Sequence, residues 1–104
     1  MSIGFSLHSA LPPNETLQRI AQTRLKYGEM LRYFWISEVG EAGDFTREAD
    51  ADYGFVPKST FLIQWTGEPS EFIRRIPPAF YEIFGKDNIL IFDDTCDPVP
   101  PPSN

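Results

Sequence analysis

Residues Met30–Thr66 read MLRYFWISEVGEAGDFTREADADYGFVPKSTFLIQWT. Two aromatic-rich runs at its ends, Met30–Val39 and Lys58–Thr66, have the alternation of strands. In the first, Leu31, Tyr33 and Trp35 point one way and Met30, Phe34 and Ile36 the other, so both faces are apolar. In the second, Phe61, Ile63 and Trp65 oppose Thr60, Leu62, Gln64 and Thr66. Between them, Ser37–Pro57 holds six acids against one base, Arg47, and so carries −5 of a whole-chain charge of −6. A connection longer than about 12–15 residues is uncommon in a compact domain and is often functional or disordered.

Working outward, Ser2–His8 alternates Ile3, Phe5 and Leu7 with small or polar residues, as a half-buried strand does. Leu11-Pro12-Pro13 breaks it and Asn14 is a good N-cap. From Glu15 to Tyr27 the residues Leu17, Ile20, Ala21 and Leu25 form one helical stripe, with Gly28 as its stop. Beyond the second run, Gly67 and Pro69 close the strand. Ser70–Ile76 and Ala79–Phe84 read as helix interrupted by Pro77-Pro78, and Asn88–Asp93 as a last strand. Four prolines among Thr95–Asn104 predict an extended tail with no core to join.

The expected fold is therefore α+β, one domain over residues 1–94 followed by a proline-rich tail over 95–104. Its strand–helix–strand–strand–helix–strand order resembles the ferredoxin-like βαββαβ arrangement. Right-handed crossovers would put two helices on one face of a four-stranded antiparallel sheet. A different α+β sandwich is the alternative. This topology sends the 38–57 loop and the Asp93, Asp94 and Asp97 group to opposite ends, as two acidic poles.

A chain of 104 residues with nine Phe, four Tyr and two Trp has material for a real core. One cysteine excludes an internal disulfide, and no apolar run reaches the ~18 residues of a membrane span. A cytoplasmic protein is the expectation, with no membrane partner. The net charge of −6 argues against a phosphate-tracking nucleic-acid binder. Residues 1–37 carry +2 and residues 58–92 none, so the acid sits in one loop and one tail on a nearly neutral framework.

The candidate contact surface is Glu38, Glu41, Asp44, Phe45, Glu48, Asp50, Asp52, Tyr53 and Phe55, where acids alternate with rings. The acids would steer a basic protein partner and the rings would anchor it; the bland reading is a solvated loop that keeps the chain soluble. A second candidate is the open sheet face, with Tyr33, Trp35, Phe61 and Trp65 as an apolar patch suited to a homodimer. No metal or cofactor is expected: the Asp50-x-Asp52 pattern puts Gly54 and Phe55 where a calcium loop needs a ligand and a glycine. His8 and Cys96 are each alone of their kind, too little for a triad or zinc site. Arg74-Arg75 reads as a solvated helix face.

An RNA-recognition motif is excluded, because Thr60 and Leu62 stand where its stacking aromatics belong. Ser9-Ala10-Leu11-Pro12 is not the glycine-rich anion loop of acylphosphatase-like enzymes. Phe61–Phe72, FLIQWTGEPSEF, resembles dimeric α+β barrel monooxygenases, which implies a cofactor-independent enzyme or small-ligand binder as the alternative function. The leading expectation is a non-catalytic acidic protein-binding module, an inhibitor or immunity-type protein that neutralises a basic toxin or nuclease.

Overall fold

The computed structural model describes residues 3–67 and 70–102. Ser2 of the expected first strand, Pro69 at the expected stop, and Ser103 and Asn104 of the tail lie outside the described residues. The chain runs β1 (Gly4–Ser9), α1 (Pro13–Leu31), β2 (Phe34–Ile36), β3 (Gly40–Glu41), α2 (Asp44–Ala51) and β4 (Ser59–Trp65). A 3-10 helix (Ser70–Arg75), α3 (Ile76–Phe84), β5 (Ile89–Phe92) and β6 (Pro98–Val99) follow. The sheet order is β2-β4-β1-β5-β6, with β3 also paired to β4 and every pairing antiparallel. This is a mixed α+β fold, and the four-stranded, two-helix expectation is corrected. The sheet has six strands, and a third helix forms inside the segment expected to be one long loop.

Alternation in β1 and β4 sends Phe5, Leu7, Phe61 and Ile63 to one face, where Ile89 and Ile91 of β5 join them. α1 and α3 pack on that face and close the core. Rings of Phe61, Phe80 and Phe84 meet there at centroid separations of 6.0 to 6.1 Å, a spacing at which each aromatic pair adds about 1 kcal/mol beyond its burial. β1 and β4 approach so closely that a Cβ on Gly4 would stand 2.4 Å from the Ile63 carbonyl oxygen. In α3 the two prolines occupy the first turn, where no amide hydrogen is needed, so Pro77-Pro78 starts the helix and the 3-10 helix ends before it. Across α1 and α3, Tyr27 Oη donates to Glu82 at 2.8 Å. Lys26 donates to the same carboxyl, and these bonds, Lys26 first, hold Glu82 below its ordinary value.

α1 departs from its expected register. Thr16, Ile20, Thr23, Met30 and Leu31 face inward, whereas Leu17 and Ala21 are exposed and Leu25 is 89% exposed. Threonines can be inside because their hydroxyls are satisfied. Thr23 Oγ1 donates back to the Arg19 carbonyl at 2.8 Å. Thr16 Oγ1 lies 2.8 Å from Ser9 Oγ and 2.7 Å from Ser59 Oγ, joining α1, β1 and β4 in one buried hydroxyl cluster. Ser59 Oγ in turn donates to the Leu11 carbonyl at 2.8 Å. Nor does Gly28 stop the helix: it kinks at Tyr27 (φ −119°) and continues, so Met30 and Leu31, expected in a strand, are helical and buried. β2 shrinks to three residues.

The tail expected to find no core instead extends the sheet. Phe92 and Ile91 of β5 pair with Pro98 and Val99 of β6. Tyr81 Oη donates to the Val99 carbonyl, and burial pushes this phenol above its ordinary value.

Candidate acidic contact surface

The sheet's second face carries Ser6 and His8 of β1, Leu62 and Gln64 of β4, Trp35 of β2 and Leu90 and Phe92 of β5, the alternates of the core residues. α2 lies back over the β1–β5 part of it. Gly43 is its N-cap, Asp44 favours the positive N-terminal end, and Arg47 Nη1 donates to Asp44 Oδ1 at 3.1 Å. Its one buried residue is Asp50, 1% exposed. The Asp50 Oδ2 oxygen accepts from His8 Nδ1 at 2.6 Å, a bond between residues 42 apart in the chain. Tyr53 then lays its ring edge-on to Phe92, centroids 5.6 Å apart, and His8 sits 5.1 Å from the same Phe92 ring. One polar pair and one aromatic stack thus dock the helix to the sheet.

This docking decides the fate of the expected contact residues. Glu38, Glu41, Asp44, Glu48 and Asp52 are exposed, and Phe45 is 85% exposed. Among the described residues, Glu38, Glu41, Glu48 and Asp52 lie within ion-pair distance of no base. Tyr53 is exposed along part of its ring, and Phe55 is half-buried. Asp50 is the exception: counted as a surface acid from the sequence, it is buried beneath its own helix. Its helical neighbours gave no local signal for this, since Thr46 is only half-buried and Ala49 and Tyr53 are exposed; the partner that lets Asp50 go inside, His8, is 42 residues away.

The open-face assignment also needs correction. Trp35 does face out, 53% exposed, with Leu62 its diagonal neighbour across β2 and β4. Phe61 is 2% exposed and belongs to the core, while Trp65 and Tyr33 are half-buried against it. Tyr33 stacks on Phe72 at 5.6 Å. β4 is apolar at Phe61, Ile63 and Trp65 and mixed on its other side, so the more apolar set went inside.

The two acidic groups are not at opposite ends: Asp52 of the first and Asp93 of the second both line a depression of about 470 Å³ beside α2. Asp93 Oδ1 accepts from the Thr95 hydroxyl at 2.7 Å and from the Thr95 and Asp97 amides at 3.0 Å each. The Thr95 hydroxyl above all, then the Asp97 amide, holds the Asp93 carboxyl below its ordinary value. On the other side of α2, a second depression of about 380 Å³ has Glu38 and Thr46 among its lining residues. Among the described residues, no group of three His, Cys, Asp or Glu side chains is placed to hold a metal ion, and no helix is long and apolar enough to cross a membrane.

Known proteins match this architecture in two ways. A chain of the CdiA-CT/CdiI toxin and immunity complex from Burkholderia pseudomallei superposes with a TM-score of 0.84 at 22% identity, covering 92% of this chain and 95% of that one. At that identity the likeness speaks for the fold. No curated protein matches the chain. The family described as CDI System Immunity Component matches residues 1–97, which leaves out Pro98–Asn104 of the proline-rich tail. The immunity-type role expected from segregated acid on a neutral framework therefore stands, and the chain belongs to the CDI system immunity component family.

Proposed function

We propose that this immunity component neutralises a basic toxin by covering the toxin's cationic surface with the acidic face built on α2, without catalysis, in the cytoplasm. The observation that carries the reading is Phe45, a large ring left 85% in water on a helix whose neighbouring carboxylates Glu48 and Asp52 pair with no base among the described residues. Such a ring gains by being desolvated against a partner, and the acids around it speed and orient the encounter. The similar solved chain comes from a complex of a toxin with an immunity protein, which supports a toxin as the partner. The ferredoxin-like order of the four longer strands would then be scaffold, and α2 the attachment that confers partner choice. With Phe61 buried, the homodimer expected through the sheet retains only Trp35 and Leu62 as anchors, so one copy per toxin is the form proposed.

The test is affinity for the cognate toxin at two salt concentrations. Glu41→Gln, Glu48→Gln and Asp52→Asn together should weaken binding about tenfold or more at low salt and flatten its salt dependence. Glu15→Gln with Glu29→Gln on α1 should change neither. Equal loss from the two sets, or none from the first, would remove the acidic face as the contact surface.

A further inference from the structure

We infer that the depression between α2 and β5 is a socket for one arginine side chain of the toxin, its guanidinium reaching the free oxygen of Asp50. This rests on the contact-surface reading above and assigns its central subsite. Asp50 Oδ2 is satisfied by His8, but Oδ1 is buried with no hydrogen-bond partner. A buried carboxylate oxygen left unpaired is costly, and natural structures keep few of them without a use. Asp50 is among the residues lining the 470 Å³ depression, so the unpaired Oδ1, itself closed to solvent in the free chain, belongs to a side chain that borders a space large enough for another side chain to enter.

The remaining lining suits a planar cation. Asp52 and Asp93 bring two further carboxylates, Phe45, Tyr53 and Phe92 bring three rings, and no lysine or arginine of the chain occupies the space. Asp93 Oδ1 is already engaged by its own turn, which leaves Asp50, Asp52 and the second oxygen of Asp93 as the acceptors. A guanidinium has N–H donors on several edges and can reach more than one of them while its face lies on an aromatic ring. An ammonium is a compact, strongly hydrated point charge with less to gain from the rings. A metal ion is disfavoured because the acids and His8 do not converge on one point.

The probe is acetyl-arginine methylamide, titrated into the full chain and followed by amide NMR, with its uncharged citrulline and its lysine counterparts alongside. The arginine probe should move the amides of Ala49, Tyr53 and Cys96 saturably, with a dissociation constant of about 1 mM for so small a ligand. Citrulline should bind at least about tenfold more weakly, as expected for losing charge-assisted hydrogen bonds, and lysine more weakly than arginine. Asp50→Asn, which keeps an acceptor for His8 and puts an amide donor in the free position, should cost about tenfold in arginine affinity. Phe45→Ser and Asp52→Asn alter exposed side chains that the fold does not depend on, and each should weaken the probe severalfold even if Asp50→Asn disturbs folding. Shifts scattered over all exposed acids, equal response to citrulline or lysine, or variants that bind like the parent would overturn the socket. The probe contains no toxin, so its failure leaves the acidic contact surface to stand or fall on the Glu41, Glu48 and Asp52 experiment.

Discussion

Replacing His8 by phenylalanine keeps a ring against Phe92 and deletes the one hydrogen bond that the Asp50 side chain makes. Because Oδ1 is already unpaired, His8→Phe leaves a 1% exposed carboxyl group with neither oxygen satisfied. Removing one partner of a buried pair costs about 3–5 kcal/mol, and His8 retains some contact with solvent, so about 3 kcal/mol is the expected loss. Against a total stability of about 5–15 kcal/mol for a domain of this size, that is a large fraction. At about 4–8 °C per kcal/mol, it lowers Tm by roughly 12–24 °C. Urea unfolding followed by the fluorescence of Trp35 and Trp65 measures it, with the m-value as the check on two-state behaviour. His8→Phe combined with Asp50→Leu removes the stranded group and should recover about 2 kcal/mol of the single-variant losses, the non-additivity of a contacting pair. A loss under about 1 kcal/mol for His8→Phe, or strictly additive losses in the double variant, would refute the claim that this pair docks α2.

Two further outcomes follow from the geometry. Leu25→Ala should change stability by less than about 0.5 kcal/mol while Ile20→Ala costs about 2–4 kcal/mol, and a reversal of that ranking in urea titrations would contradict the register of α1. The depressed Asp93 carboxyl contributes stability that is fully present above its ordinary value of 3.8 and fades as pH falls through the lower folded value. Thr95→Ala should raise that folded value toward 3.8, and an unmoved NMR titration midpoint for the Asp93 carboxyl carbon would contradict the assigned cause.

Some of this molecule was determined by the sequence alone. The alternation of Phe5 and Leu7, and of Phe61 and Ile63, located β1 and β4 and their buried face; Leu11-Pro12-Pro13 marked the break between β1 and α1; the count of acids between Ser37 and Pro57 singled out the segment proposed as the contact surface. Each of these depends on residues a few positions apart. Tertiary structure decided which polar residues would be inside. Thr16 faces inward because Ser59, 43 residues away, meets its hydroxyl, and Asp50 does because His8 meets its carboxyl across 42 residues. α2 formed within the acidic segment because β1 and β5 offered His8 and Phe92 to cover it, and that same docking brought Asp52 and Asp93 to one depression. The physical reason is that burying a polar group is favourable only where a partner satisfies it; here that partner comes from a distant strand, beyond the reach of local periodicity.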